Sequence, residues 1–423
     1  MTKTIDPALK SWINVGKNND FPIQNLPFGI FSREGCSPRV ATRIGDTVVD
    51  LYVLAVKGYL HRTEIDPEVF NRDFLNDFIA LGKPMWQSLR ENIADLFEEG
   101  NSSLKTRHDD CAEILFPVEK TTMHLPVRIG DYTDFYSSIE HATNVGIMFR
   151  DPENALLPNW RHLPVGYHGR CSSIVVSGTN IHRPKGQTKS DEAIIPEFGP
   201  SRQLDFELEM AFITGKKTAL GKSISTADAE DHIFGMVIFN DLSARDIQKW
   251  EYVPLGPFLS KNFGSVISPW VVTLDALEPF RVHGPKQEPT VLPYLQFTGD
   301  HNFDIQLDVL IQPDGLAPFR VCHSNYRYMY WNLAQQLAHQ TVNGCNINVG
   351  DIYASGTISG PTPDSFGSML EIAWKGTKPL KMPDGSERKF IHDYDTIIMK
   401  GYCEKEGLRI GFGEAVTKIL PPL

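Results

Sequence analysis

The segment from Leu204 to Met210 alternates apolar and acidic side chains over seven residues. In an extended strand, the acidic residues Asp205, Glu207 and Glu209 would share one face. Side chains two apart on a strand lie about 7 Å from each other. The carboxylates therefore repel unless water or a cation lies between them. The pattern indicates either a site for a hard cation or the solvated outer face of an antiparallel sheet.

Another acidic residue, Asp134, lies outside this segment and seven positions before His141. The segment from Asp131 to Phe149 predicts a helix, with Asp131 or Thr133 as its N-cap. Residues seven apart on a helix differ by about 20° in direction, so Asp134 and His141 would share a face. One could bind a metal while the other acts on a nearby water. The alternative is an acidic residue that favours the helix dipole and an ordinary surface histidine.

Asp241 ends the apolar run of residues 236–239, just before a helix-like segment at 243–250. A carboxylate at the carboxyl end of a strand is a common position for a ligand, and it also suits a helix N-cap. The guanidinium, amide and ammonium groups that follow could converge near a metal and stabilise an oxyanion, namely those of Arg245, Gln248 and Lys261. Tyr252 lies close to them in sequence. The alternative is that each is an ordinary surface polar residue.

The composition is that of an ordinary globular protein that can bury a core. The 423 residues carry 41 Lys and Arg against 52 Asp and Glu, a formal charge of −11. This excess of negative charge disfavours nucleic acid and anionic membranes as partners. The six cysteines are widely spaced, which argues against a disulfide framework or a zinc site. With no signal peptide or membrane-spanning run at the sequence level, we expect a cytoplasmic protein.

The element pattern predicts a mainly β chain with some α. Short strands with a hairpin at Gly45-Asp46 precede helical patterns at 70–79 and 86–97. Beyond a Pro-flanked stretch at 117–126, the chain is strand-rich with large loops, and its clearest helix is predicted at 328–343. We therefore predict an N-terminal domain, 1–122, and a C-terminal domain, 123–423. Three further motifs are predicted to be loops or turns: residues 108–110, 166–170 and 392–395.

With these motifs laid out, the chain resembles the fumarylacetoacetate hydrolase superfamily over essentially its whole length. The acidic alternation and the segment around Asp241 are typical of the whole superfamily. The block from Asp134 to His141 and the strand-rich N-terminal part indicate the branch that completes tyrosine and phenylalanine breakdown. The segments that carry the resemblance are 131–138, 141–146, 205–209, 240–246, 356–361 and 368–371.

The resemblance implies an N-terminal SH3-like barrel followed by a C-terminal mixed β-roll domain, assembled as a homodimer. It implies that the metal ligands are Asp134, Glu207, Glu209 and Asp241. These are all oxygen donors, which favours Mg²⁺ or Ca²⁺ over zinc. Ser265 stands where Thr or Gly is expected near a second cation, which argues against a second metal at that position.

The resemblance also implies roles for the remaining site residues. His141 would be the general base and Glu371 the carboxylate that orients it. The groups that stabilise an oxyanion would be Arg245, Gln248 and Lys261. The substrate contacts would be Tyr136, Arg150, Tyr167, Gln248, Tyr252 and Thr357.

The implied activity is metal-dependent hydrolysis of the carbon-carbon bond of 4-fumarylacetoacetate, a small diketo-dicarboxylate, to fumarate and acetoacetate. Two other interpretations stay open at this stage. One is a different activity of the superfamily, such as acylpyruvate hydrolysis or oxaloacetate decarboxylation. The other is a non-catalytic scaffold that retains only the cation-binding pocket.

Overall fold

The structure, a computed structural model, describes residues 3–423 of the chain. Its N-terminal part forms one antiparallel sheet with the strand order β4-β3-β2-β1-β5. The two-residue turn Gly45-Asp46 joins β2 to β3, as the sequence predicts, and Gly45 adopts a left-handed φ of 57°. The elements are β1 (Phe28–Ser32), β2 (Arg39–Ile44), β3 (Thr47–Asp50), α1 (Leu51–Val56), α2 (Asn76–Ile79), α3 (Lys83–Phe97), α4 (His108–Ile114), β4 (Leu115–Pro117) and β5 (Thr122–His124).

The remaining chain forms two larger sheets and several two-stranded ladders. Its strands are β6 (Tyr132–Phe135), β7 (Gly166–His168), β8 (Ile174–Val176), β9 (Ile181–His182), β10 (Lys185–Thr188), β11 (Glu197–Pro200), β12 (Leu204–Asp205), β13 (Leu208–Thr214), β14 (Ile233–Asp241), β15 (Ser243–Ala244), β16 (Ser265–Ile267), β17 (Val272–Thr273), β18 (Arg281–Val282), β19 (Asn302–Phe303), β20 (Gln306–Gln312), β21 (Phe319–Asn325), β22 (Ile352–Ala354), β23 (Leu380–Lys381), β24 (Glu387–Arg388), β25 (Thr396–Lys405) and β26 (Leu408–Leu420). Its helices are α5 (Ile139–Phe149), α6 (Arg245–Glu251), α7 (Leu274–Leu277), α8 (Leu333–Thr341) and α9 (Met369–Ile372).

The central sheet has the order β7-β6-β22-β13-β14-β16-β8, with β17 also paired to β14. Both of its faces are buried. Met210 and Phe212 of β13 pack into the core shared with the second sheet, β21-β20-β25-β26-β9. Ala211 and Ile213, which point the other way, pack into the core of the N-terminal part. Strands buried on both faces read as continuous apolar runs, which explains the sequence of β14.

One predicted helix is wrong in a way that matters for the site. The segment from Asp131 to Phe149 is not a single helix, because residues 132–135 form β6 and pair with β22 and β7. Helix α5 begins only after Ser138, whose hydroxyl accepts a hydrogen bond from the His141 N–H at 3.2 Å. Asp134 and His141 therefore lie on different elements.

Of the other predicted elements, some hold with changed bounds and two are wrong. Helix α3 buries the predicted face from Trp86 to Phe97. The preceding pattern at 70–79 forms only the short α2, because the Leu75 N–H donates to the carbonyl of Pro126 instead of an intrahelical partner. Residues 108–110 begin α4 and 166–168 form β7, so neither is the predicted loop or turn. Helix α8 is shorter than predicted, beginning after the N-cap Asn332.

Within residues 3–423, no helix is both long and apolar enough to span a membrane. All six cysteines are free thiols.

Arg90 of α3 is a buried cation whose partners are backbone carbonyls. Its guanidinium donates to the carbonyls of Asn25 at 2.6 Å, Leu26 at 2.9 Å and Gln24 at 3.0 Å. Burial lowers the pKa of Arg90 to about 10. We expect Arg90→Leu to lower the free energy of unfolding by about 3 kcal/mol or more, since each orphaned buried acceptor costs about 1–3 kcal/mol. Urea-induced unfolding measures this loss.

The matched control is Arg72→Leu. Arg72 pairs with Asp77 at the surface, where both side chains are more than half exposed. Such a change alters the free energy of unfolding by no more than about 0.5 kcal/mol. Equal losses in the two variants would contradict the role given to Arg90.

Candidate active site

Three of the predicted acidic residues project from neighbouring strands onto one face of the central sheet. Asp134 of β6 pairs with Ala354, and Ala354 pairs with Ala211, which lies two residues beyond Glu209. Asp241 ends β14, the strand paired with β13 on its other side. Since side chains alternate along a strand, these carboxylates share a face and lie at one end of the sheet.

The fourth acidic residue, Glu207, lies at a break in the predicted strand. The alternating segment is not continuous: β12 ends at Asp205, and Glu207 makes only an isolated bridge to Ser368 before β13 begins. Asp205, Glu207 and Glu209 are all buried. A solvated outer face is therefore the wrong interpretation of this segment.

The structure brings Asp134, Glu207, Glu209 and Asp241 together. One carboxylate oxygen from each lies within 4.8 Å of those of the other three. Among residues 3–423, no other group of three or more potential ligands comes so close. Four carboxylates at this spacing repel strongly in a buried site.

Two cationic side chains offset part of this repulsion. The ammonium group of Lys261 donates to Glu207 Oε2 at 2.5 Å and to Asp241 Oδ2 at 2.6 Å. An Nη atom of Arg245 lies 2.7 Å from Glu207 Oε1. Burial acts to raise the pKa of Glu207, but Lys261 and Arg245 outweigh it and hold the pKa below its ordinary range.

The other carboxylates are less well compensated. Burial, and next the charge of Asp241, raise the pKa of Asp134 well above its ordinary value. Burial and the charge of Asp134 do the same to Glu209. Asp134 Oδ1 and Glu209 Oε1 are buried oxygens with no hydrogen-bond partner. Four carboxylates face two cationic side chains, and Arg245 is shared with Asp205, so the fully ionised cluster has at least two uncompensated negative charges.

These features fit one divalent cation. Such an ion would offset the excess charge, and the two partnerless oxygens could serve as its ligands. The donors are all carboxylate oxygens, the set preferred by Mg²⁺ and Ca²⁺. Neighbouring groups fix two of the donors in place: Ser265 donates to Asp241 Oδ1 at 2.9 Å, and the Gly356 N–H donates to Glu209 Oε2 at 3.0 Å.

A buried histidine–carboxylate pair accompanies the acidic cluster. His141 Nδ1 lies 2.6 Å from Glu371 Oε2, and both side chains are almost fully buried. This contact places the proton on Nδ1, which leaves Nε2 as the basic nitrogen. Burial acts to raise the pKa of Glu371, but His141 and the bonds from Asn144 and Ser359 outweigh it and hold that pKa below its ordinary value.

Glu371 is fixed by more partners than the sequence suggested. Ser359 and Ser368 both donate to Oε2, at 2.8 and 2.9 Å, while Asn144 donates to Oε1 at 2.9 Å. The sequence analysis missed all three. For Ser368 a signal existed, because Ser-x-x-Glu is the pattern of a helix capping box. Ser359 and Asn144 reach Glu371 through tertiary folding and leave no local pattern.

The predicted oxyanion groups are also brought together. Arg245 and Gln248 lie on one face of α6, and an Nη atom of Arg245 donates to Gln248 Oε1 at 3.1 Å. The Nε atom of Arg245 donates to Asp205 Oδ2 at 2.8 Å. The structure thus gives Asp205 a partner that the sequence analysis did not assign.

The predicted substrate contacts divide into two groups. Tyr136 lies edge-on to the ring of His141, with centroids 5.3 Å apart. The Tyr167 hydroxyl lies 3.5 Å from Asp241 Oδ2, and Thr357 Oγ1 is buried without a partner. By contrast, Tyr252 is 53% exposed, and the exposed Arg150 donates to the carbonyl of Ala155 at 2.6 Å.

A cavity connects this region to the surface. Its volume is about 290 Å³, and its lining includes Tyr167, Lys261, Tyr132 and Phe258. Because Lys261 and Tyr167 both contact Asp241, a small molecule in the cavity lies next to the acidic cluster.

Solved structures with the same fold are known. One is a fumarylacetoacetate hydrolase from Exiguobacterium antarcticum, with a TM-score of 0.53 and 17% identity over 94% of this chain and 99% of that chain. Another is a maleylpyruvate hydrolase from Sphingobium sp. SYK-6, with a TM-score of 0.50 and 14% identity over 94% and 100%. At these identities the similarity shows the fold alone. Fold and site together define a mainly β protein with a buried carboxylate cluster able to hold a metal ion.

Sequence comparison then gives the family. Residues 132–419 match the model described as fumarylacetoacetate (FAA) hydrolase, C-terminal, and residues 24–126 match fumarylacetoacetase, N-terminal. Fumarylacetoacetase from Dictyostelium discoideum is 55% identical over 419 residues, 98% of each chain. The protein of that name from Homo sapiens is 53% identical over 98% of this chain and 99% of its own. The chain belongs to the fumarylacetoacetate hydrolase family.

The raised pKa values predict how pH affects the metal-free protein. A carboxyl group with a raised folded-state pKa binds its proton more tightly in the folded than in the unfolded state. The stability from Asp134 and Glu209 is thus greatest below their unfolded pKa of about 4 and falls as pH rises through the folded pKa. We expect the thermal midpoint in EDTA to fall between about pH 5 and pH 8, where Glu207 is ionised in both states.

Excess Mg²⁺ should raise the midpoint and flatten its decline, because the ion replaces the bound protons. Differential scanning fluorimetry across this pH range measures both effects. Glu209→Gln is the matched variant, since it removes one charge while conserving shape, and it should weaken both. Identical pH profiles in EDTA and Mg²⁺ would contradict a cation site at the cluster.

Proposed function

We propose that the protein hydrolyses the carbon-carbon bond of 4-fumarylacetoacetate to fumarate and acetoacetate, the last step of tyrosine and phenylalanine catabolism. The observation that carries this proposal is the His141–Glu371 pair beside four buried carboxylates. It occurs in a chain that aligns over nearly its full length with relatives named fumarylacetoacetase at 47–55% identity.

The reaction begins with a base and a nucleophile. His141 Nε2 accepts a proton from water, which attacks the carbonyl carbon next to the bond that breaks. Glu371 holds the imidazole in the required tautomer and stabilises the imidazolium that forms, as in other histidine–carboxylate pairs. Because its pKa lies below the ordinary value for a glutamate, the Glu371 carboxyl group is ionised for this role.

Negative charge then develops on the attacked oxygen and on the leaving fragment. Arg245, Gln248 and Lys261 are the groups we assign to the oxyanion. The bond breaks with its electron pair going to the acetoacetate fragment. This fragment departs as an enolate and takes up the proton that His141 received from water. A divalent cation held by Asp134, Glu207, Glu209 and Asp241 would supply Lewis-acid chemistry to this step.

We assign the cation site to Asp134, Glu207, Glu209 and Asp241, with Mg²⁺ or Ca²⁺ as the ion. The substrate is a dianion, and we assign its contacts to Tyr136, Arg150, Tyr167, Gln248, Tyr252 and Thr357. Of these, Arg150 and Tyr252 are exposed. In a crystal, metal–oxygen distances of about 2.1 Å indicate Mg²⁺ and about 2.3–2.6 Å indicate Ca²⁺.

The finer architecture is also part of the proposal. We propose that the N-terminal sheet is an SH3-like barrel and the remainder a β-roll, with domains 1–122 and 123–423. Strand β5 pairs with β1, so residues 123 and 124 extend the N-terminal sheet across this boundary. We further propose a cytoplasmic homodimer without nucleic-acid or membrane partners. Exposed apolar side chains near the end of α6 and the β10–β11 hairpin support an interface there: Ile194, Ile195, Phe198, Leu255 and Phe258.

The substrate assay tests the proposed activity against its nearest rivals. Purified protein with Mg²⁺ is incubated separately with fumarylacetoacetate, an acylpyruvate and oxaloacetate. We expect fumarate release from the first at a kcat/KM at least about 100-fold above either rival, a ratio worth about 2.7 kcal/mol of transition-state discrimination. Rapid acylpyruvate cleavage or oxaloacetate decarboxylation without fumarate release would refute the proposal.

A substitution separates the enzyme from a cation-binding scaffold. We expect His141→Ala to lower kcat by about 10²–10⁴-fold, the usual contribution of a general base. Mg²⁺ affinity, followed by isothermal titration calorimetry, should stay unchanged because His141 is not a ligand. The control is His162→Ala, which replaces an exposed histidine outside the site. Unchanged turnover in His141→Ala would eliminate this residue as the base.

A further inference from the structure

We propose that Asp205 is a positioning residue that holds the oxyanion guanidinium and the base-orienting carboxylate in one fixed arrangement. The inference rests on the proposed function. Asp205 lies outside the acidic cluster, although it is only two residues from Glu207. It therefore acts through other side chains.

The contacts of Asp205 join two parts of the site. Its Oδ2 accepts hydrogen bonds from Arg245 Nε at 2.8 Å and from the Leu370 N–H at 3.0 Å. Its Oδ1 accepts from the Met369 N–H at 2.6 Å. Met369 and Leu370 are the first two residues of α9, and the next residue is Glu371. One carboxylate thus binds both Arg245 and the turn that carries Glu371.

The backbone around Asp205 reinforces this link. Glu207 forms a bridge with Ser368, and the Leu208 N–H donates to the carbonyl of Gly367 at 2.9 Å. The segment that carries two of the cluster carboxylates therefore lies directly against the turn that carries Glu371. A displacement of either segment moves Glu371 relative to Arg245.

Holding α9 in place does not by itself require Asp205. Ser368 already caps α9 by accepting from the Glu371 N–H at 3.4 Å. What Asp205 adds is a fixed distance between this turn and Arg245. Asp205 is fully buried, so its charge is balanced by Arg245 and the two N–H groups rather than by water. Displacing a reacting group by about 1 Å can cost about 100-fold in rate.

The test is Asp205→Asn. Both carboxylate oxygens of Asp205 accept hydrogen bonds from N–H donors. An amide has one oxygen and one NH₂ group, so in this variant the NH₂ group would face an N–H donor and one hydrogen bond would be lost. We expect kcat to fall about 100-fold. KM and the Mg²⁺ dissociation constant should each stay within about 3-fold, because substrate and cation contacts remain. A purely structural role would lower the thermal midpoint without this separation of kcat from KM.

A double variant shows whether Asp205 acts through the base. In a His141→Ala background, Asp205→Asn should cost clearly less than the loss of about 100-fold expected in the wild type, because the part of its effect that passes through Glu371 and His141 is already lost while the part that passes through Arg245 remains. A full additional 100-fold loss would show that Asp205 acts independently of the base and would overturn the proposed link.

If Asp205→Asn fails to fold, a pair of Met369 variants tests the positioning role of Asp205. Met369→Pro removes one N–H donor to Asp205, while Met369→Ala keeps it, and both lose the methionine side chain. Proline suits the first position of a helix, and Ser368 already has the extended conformation, with φ −147° and ψ 153°, that a residue before proline requires. We expect kcat of the proline variant to be at least 10-fold below that of the alanine variant.

The outcomes separate this inference from the function on which it rests. Wild-type protein that releases no fumarate overturns both. Active wild-type protein, with kcat unchanged in Asp205→Asn or equal in the two Met369 variants, overturns the positioning role alone. A fall in kcat with KM and Mg²⁺ affinity retained supports it.

Discussion

The structure depends on keeping four mutually repelling carboxylates in a buried site. Asp134, Glu207, Glu209 and Asp241 lie close enough to share one ion, and water cannot screen them. Lys261 and Arg245 neutralise only part of this negative charge. The neutralisation is uneven among the four carboxylates, because both cations contact Glu207. Glu209 and Asp134 are left with oxygens that bind nothing in the protein. The cluster is therefore built to be completed by a ligand of positive charge.

The surrounding sheet keeps this arrangement rigid. The strands that carry Asp134, Glu209 and Asp241 are buried on both faces, one by the second sheet and the other by the N-terminal part of the chain. Packed interiors of this kind do not deform gradually. The N-terminal part contributes none of the proposed ligands, yet it covers the face from which they project. Its contribution is to pack against that face of the sheet and so fix the positions of the strands.

The sequence predicted the residue types of the site better than their geometry. The alternation in residues 204–210 and the strand-terminal Asp241 are local patterns that made Glu207, Glu209 and Asp241 candidates. The family resemblance joined them with Asp134 as one ligand set. The helix joining Asp134 to His141 was wrong, since seven-residue spacing suits a helix but strand pairing with residues 352–354 decides the structure. His141 and Glu371 meet across 230 positions, and the family resemblance alone linked them. Contacts of Asn144 and Ser359 leave no periodic trace, so they emerged only from the fold.

The pairing of β6 with β22 has a consequence for biosynthesis. These parallel strands place Asp134 beside Ala354, so the wall of the site needs a segment from late in the chain. A nascent polypeptide that has emerged only as far as α8 already contains the four carboxylate residues, but it lacks both β22 and Glu371. Such distant pairings slow folding, and incomplete chains expose apolar strands meanwhile. The proposed site of this protein can therefore be assembled only after translation has passed residue 371.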